Sequence, residues 1–126
     1  MKSAHDLVEQ ARTHIQEISV DDAEAQMPQA DVLVDIREPD EFREGHINGA
    51  VNIPRGLLEF KFSGTPELGA RDLNIMLYCK TSGRAALAAA SLQDMGYLHV
   101  RSIAGGFDAW TGAGKTVVKP SLPSFE

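Results

Sequence analysis

Residues 74–95 read NIMLYCKTSGRAALAAASLQDM, and their order decides the fold. Ile75, Met76, Leu77 and Tyr78 form an unbroken apolar and aromatic run, the composition of a strand buried on both faces. Residues 84–95 are rich in alanine and predict a helix, closed by Gly96 in the C′ position. Between the two lies a short loop holding Cys79, Lys80, Thr81, Ser82 and Gly83. A buried strand that feeds a helix through a tight loop is the unit of an α/β sheet. In such sheets ligands bind at the carboxyl ends of the strands, and Cys79 stands just past one.

Working outward, the same alternation repeats. Residues 3–13 place Leu7, Val8 and Ala11 on one face and predict an amphipathic N-terminal helix. Residues 15–20 read as a strand, followed by a helix that Asp21 and Asp22 are placed to cap and that ends near Pro28. Residues 31–36 form a second apolar, β-branched strand. Residues 39–43 make a helical turn stopped by Gly45, and residues 50–53 a short strand ended by Pro54. Residues 57–60 predict a helix and residues 64–66 a loop. Residues 99–103 form the last strand, and residues 107–111 begin a last helix after Gly105 and Gly106. Strand, helix, strand, helix implies an α/β domain with a mainly parallel sheet of about five strands and helices on both faces. The expected organisation is a helix over residues 1–14, the domain over 15–120, and an extended tail over 121–126.

Bulk composition narrows the partners. The chain has 126 residues, enough to bury a core without disulfides or a structural metal. Its net charge of -6 argues against nucleic acid as a partner. No stretch approaches the length of a membrane span, so no membrane is expected. His5, Asp6, Glu9 and Arg12 interrupt the first residues, leaving no apolar signal core and making the cytoplasm the default compartment. There is one cysteine, which excludes an internal disulfide and a site of several thiolates, so no metal and no other cofactor is expected.

That cysteine is the candidate nucleophile. A tight loop before a helix turns several backbone N–H groups inward and stabilises an anion. Beside Lys80 and Arg84, a thiolate there is expected to have a lowered pKa. Gly83 can take the backbone angles of a tight curl. With no second thiol, whatever Cys79 picks up must leave on another molecule. The bland alternative is a small buried residue at a strand end, since a lone cysteine usually serves as one.

Residues 79–84, CKTSGR, resemble the Cys-x-x-x-x-Arg loop of single-domain rhodanese-like sulfurtransferases. Residues 34–42, VDIREPDEF, and 45–54, GHINGAVNIP, are similar to the family's Asp-x-Arg…Glu-Phe and Gly-His-Ile-x-Gly-Ala-x-x-Ile-Pro stretches. Residues 105–110, GGFDAW, resemble its Gly-Gly…Trp motif. The resemblance implies a rhodanese-like three-layer fold and a thiosulfate-type sulfurtransferase. In it, Cys79 carries a persulfide cradled by the backbone of Lys80, Thr81, Ser82, Gly83 and Arg84. It implies a sulfane donor such as thiosulfate, a thiol, thiol-protein or cyanide acceptor, and a donor's negative group bound by Lys80 and Arg84. Ser82 departs from the glycine, and Ala85 from the serine, that many members carry. Arg55, after Pro54, is a further candidate for attracting an anionic donor, with a solvated surface charge as the alternative.

Two other readings compete. A cysteine-loop phosphatase or arsenate reductase uses a loop one residue longer, and position 85 is alanine here. A persulfide carrier or docking module without turnover also needs Cys79. Asp35, Arg37 and Glu41 read as a structural ion-pair network and His46 as a turn-ordering hydrogen bond. Phe107 and Trp110 read as core.

Overall fold

The apolar runs form adjacent strands. The computed structural model describes residues 1–120. In it, β2 (Val32–Asp35) and β4 (Asn74–Tyr78) pair in parallel, with Val34 opposite Leu77. Around them lie β1 (Gln16–Ile18), β3 (Val51–Asn52) and β5 (His99–Ile103), giving the order β1-β5-β4-β2-β3. All four pairings are parallel. The helices are α1 (Ala4–Arg12), α2 (Val20–Gln26), α3 (Pro39–Glu44), α4 (Leu58–Gly64), α5 (Gly83–Asp94) and α6 (Gly106–Gly112).

Strand β4 shows why the sheet is covered on both sides. Ile75, Leu77 and Cys79 join a core with Leu58 and Phe62 of α4 and with Leu92 of α5. Met76 and Tyr78 face the opposite core with Ala23 of α2 and Trp110 of α6. Side chains alternate along a strand, so two apolar faces need an unbroken apolar run. Ala85, Ala86, Ala88 and Ala89 are fully buried, and their small side chains let α5 lie close on the sheet. Helix α1 packs along α5.

Several local expectations shift. Asp21 and Asp22 do not cap α2; Ser19 does, its Oγ accepting the Asp22 N–H at 3.1 Å. The two aspartates occupy the first turn, where the helix dipole favours them. Helix α4 runs on to Gly64, and the expected loop after it includes a single 3-10 turn, Pro66–Leu68. The expected tail over 121–126 lies outside the described residues. No helix among the described residues is long and apolar enough to cross a membrane.

The strand order fixes where chemistry can occur. After β2 the chain moves outward to β3, and after β4 it moves the other way to β5. The carboxyl ends of β2 and β4 therefore flank a topological switch point, where open parallel sheets bind ligands. The β2 side is braced by a buried ion pair. Arg37 forks onto both oxygens of Asp35 at 2.7–3.1 Å and donates to the Gly45 carbonyl at 2.6 Å. Its guanidinium lies 4.2 Å from the Phe107 ring centroid. Asn52 closes the turn by donating to the carbonyls of Asp35 and Arg37, each at 2.9 Å.

Removing one partner of a buried pair strands the other charge. Asp35→Ala is expected to cost about 3–5 kcal/mol in urea denaturation. A loss below about 1 kcal/mol would show that the pair is as dispensable as a surface one.

Candidate active site

The loop after β4 is shaped by what lies outside it. The Cys79 carbonyl accepts the Phe107 N–H at 2.8 Å, and the Lys80 carbonyl accepts the Asp108 N–H at 2.9 Å. A Cβ on Gly106 would stand 2.0 Å from the Thr81 oxygen, 2.5 Å from that of Cys79 and 2.9 Å from that of Lys80. Three successive carbonyls thus converge on the first turn of α6. Only glycine allows that approach, and Gly106 also has φ +58.

With its carbonyls turned out, the loop turns amides toward the sulfur. The Ala85 N–H lies 3.3 Å from Cys79 Sγ, and the amides of Thr81 and Arg84 also favour its charged form. Cys79 is only 1% exposed. Burial is the largest effect on the thiol and pushes its pKa up, against the Ala85 amide and the Arg84 charge. This corrects the expected depression: the loop supplies the stabilising groups, but desolvation outweighs them.

The two loop cations are both paired. Arg84 forks onto Glu41 at 2.9 and 3.2 Å, bridging α5 to α3 across the switch point. Arg84 is the first cause holding the Glu41 carboxyl below its ordinary range. Glu41 also accepts the Glu38 N–H at 3.0 Å, fixing the start of α3. Lys80 Nζ meets Asp108 at 3.0 Å. Glu41 is therefore not part of the Asp35–Arg37 pair with which the sequence grouped it.

Arg55 follows β3, which the sequence predicts to neighbour the cysteine loop. Strand β3 is at the sheet edge, and β2 separates it from β4. Arg55 forks onto Glu59 at 2.9 and 3.0 Å, and Glu59 accepts from Ser91 of α5 at 2.6 Å. His46 orders its turn: Nδ1 lies 3.1 Å from the Phe42 carbonyl and the ring stacks on Phe42 at 3.7 Å. Trp110 is buried and donates to the Thr116 carbonyl at 2.8 Å.

Sequence reasoning missed two participants. Ala85 acts through its backbone N–H, which no residue identity reveals. Arg12 of α1 donates to Ser82 Oγ within the loop and pairs with Glu9 and Glu17. Val8 of α1 is 3.6 Å from where a Cβ on Gly83 would stand. The only signal for this contact was a hydroxyl at position 82.

Comparison with known proteins agrees with the geometry. The family model described as "Rhodanese-like domain" matches residues 19–113. The "Sulfurtransferase" of Allochromatium vinosum is 35% identical over 89 residues, spanning 71% of this chain and 79% of that protein. The chloroplastic thiosulfate sulfurtransferase 16 of Arabidopsis thaliana is 34% identical over 90 residues, spanning 64% and 74%. A solved structure from Rhodopseudomonas palustris, of a protein of unknown function described as a possible tyrosine phosphatase, superposes with TM-score 0.82. Its identity is 33% over 94% of this chain and 96% of that one.

Two tests address the loop. Gly106→Ala should lower stability by on the order of 2 kcal/mol and speed alkylation of Cys79, because the loop must open to admit the methyl group. Unchanged unfolding and alkylation would mean the carbonyls are not held there. Alkylation of the native protein should also keep rising with pH beyond about 8.5, where an ordinary cysteine titrates. A plateau below pH 8 would show that the loop amides and Arg84 outweigh burial.

Proposed function

The chain belongs to the rhodanese-like domain family, and from that membership we propose that it is a sulfurtransferase working through a persulfide on Cys79. The observation that carries the proposal is the Ala85 N–H at 3.3 Å from Cys79 Sγ, beneath a loop whose carbonyls are tied to α6. A sulfur atom added to Sγ meets inward amides, and no second cysteine exists to resolve it internally.

The cycle is a double displacement. Cys79 attacks the outer sulfur of a sulfane donor such as thiosulfate. A Cys79–sulfur bond forms as the donor's own sulfur–sulfur bond breaks, and the leaving group departs with that electron pair. A thiol or cyanide then attacks the outer sulfur and regenerates Cys79. The amides of Thr81, Arg84 and Ala85 hold the sulfur, and the Arg84 charge lowers the cost of negative charge on it. Lys80, Ser82 and Gly83 complete the turn. The protein acts in the cytoplasm in this reading.

The description attached to the R. palustris structure makes phosphate-ester hydrolysis the second reading. Four residues separate Cys79 from Arg84. A phosphoryl group must find donors for three oxygens at once, and a loop closed onto a single sulfur offers them less room.

Incubation with excess thiosulfate should add the mass of one sulfur atom, removable by cyanide or dithiothreitol and absent from Cys79→Ser. Hydrolysis of an aryl phosphate under matched conditions should be negligible. Cys79-dependent phosphate hydrolysis without any sulfur gain would overturn the proposal.

A further inference from the structure

We propose that Arg12 of α1 is a positioning residue for the cysteine site: by holding the Ser82 hydroxyl it keeps Ser82 from capping α5, and so leaves the Ala85 amide to the sulfur. The inference rests on the sulfur-transfer reading above and deepens it. Arg12 lies outside residues 19–113, the stretch that the family model matches.

Helices α1, α2 and α5 each begin after a serine, and the first two show what such a serine ordinarily does. Ser3 accepts the Asp6 N–H at 3.1 Å, and Ser19 accepts the Asp22 N–H at 3.1 Å. In both, the hydroxyl bonds the third amide of the helix from an extended backbone, ψ 171 and 162. Ser82 holds the same place before α5, yet its ψ is -10 and its side chain caps no amide. The amide it would cap by the same rule is that of Ala85, the N–H that lies 3.3 Å from Cys79 Sγ. Hydroxyl and sulfur are therefore rivals for one donor.

Arg12 decides between them. Its Nη2 donates to Ser82 Oγ, its Nη1 to Glu9 at 2.9 Å, and its Nε meets Glu17 at 3.4 Å. Each nitrogen of the guanidinium has its own partner, which fixes the plane of the fork. The helix that carries it is anchored on α5. Ala11 is buried, Val8 stands 3.6 Å from where a Cβ on Gly83 would be, and His14 is joined to Gln93 at 3.1 and 3.2 Å. The Ser82 hydroxyl is thus drawn toward α1. The Ser82 carbonyl still accepts the Ala86 N–H at 2.9 Å, so α5 begins there without its side-chain cap. Freed from Arg12, a serine in this place takes the third amide, and the sulfur loses the Ala85 N–H.

The test is a double-mutant cycle on Arg12 and Ser82. It is read by alkylation of Cys79 with iodoacetamide across pH, and by sulfur loading from thiosulfate with quenched intact mass. Arg12→Ala should slow both reactions by about tenfold, the worth of one hydrogen bond to a charged group. It should also move the alkylation profile to higher pH, because a thiolate deprived of a donor is harder to form. Ser82→Ala, which removes the rival hydroxyl, should stay within about twofold of the native protein. Adding Ser82→Ala to Arg12→Ala should restore both rates and the pH profile. A purely structural role for α1, or simple loss of a positive charge, would persist without the hydroxyl. Arg12→Lys keeps the charge but not the fork; it should fall between, be restored in the same way, and decide the matter where Arg12→Ala lacks a native melt. Equal losses with and without the Ser82 hydroxyl would overturn the inference, as would native rates in Arg12→Ala. If thiosulfate adds no sulfur to any of these proteins, the sulfur-transfer reading falls, and the alkylation cycle still decides the role of Arg12.

Discussion

The site depends on one close approach, that of Gly106 to the carbonyls of Cys79, Lys80 and Thr81. A peptide unit points its N–H opposite to its carbonyl, so tying successive carbonyls to the outside commits the neighbouring amides to the inside. Helix α6 supplies the partners through the N–H groups of Phe107 and Asp108. A methyl group at 106 would lie 2.0 Å from the Thr81 oxygen, so nothing larger than hydrogen fits. The Ala85 N–H faces the sulfur for a separate reason: it is the third amide of α5 and has no intrahelical carbonyl to bond. The second glycine of the motif is thus part of the cysteine site although it lies far along the chain.

The remaining contacts hold the walls of that loop. Arg37 links three pieces: Asp35 at the end of β2, the Gly45 carbonyl after α3, and the face of Phe107 in α6. The same α6 that clamps the cysteine loop is therefore clamped to the β2 side. Glu41 and Arg84 join α3 to α5 across the switch point. A buried ion pair is weak evidence for stability, because a hydrophobic replacement can match it. The value of the Asp35–Arg37 pair here is geometric, since it ties the end of β2 to the Gly45 carbonyl and to Phe107 of α6.

Much of this was legible in the sequence, for identifiable reasons. The runs at 31–36 and 74–78 announced buried strands because a strand covered on both faces must be apolar throughout. The alanines of α5 announced close packing, and Cys79 was placed by its position after a strand. Less legible was anything carried by the backbone. Ala85 contributes an amide, and Ser19 outcompeted two aspartates as a cap by where its hydroxyl fell. Ion-pair partners were also hidden. Glu41 sits near Asp35 and Arg37 in sequence, yet its partner is Arg84, forty-three positions away. The strand order, which puts β3 at the sheet edge with β2 between it and β4, follows from crossovers that no local pattern encodes.

The thiol's raised pKa bears on how such a cradle works. In the resting protein, burial opposes charge on the thiol while the amides of Ala85, Arg84 and Thr81 favour it. A persulfide is a stronger acid than the thiol from which it forms, because its S–H bond is weaker and the adjacent sulfur withdraws electron density from the terminal one. In the proposed cycle the anion appears only once sulfur has arrived, when the inward amides and the Arg84 charge acquire a full partner. Groups that interact more strongly with a species along the reaction than with the resting state are the ones that favour its formation. Burial of Cys79 and the inward amides then act together: burial suppresses charge on the empty cysteine, and the amides support it on the loaded one.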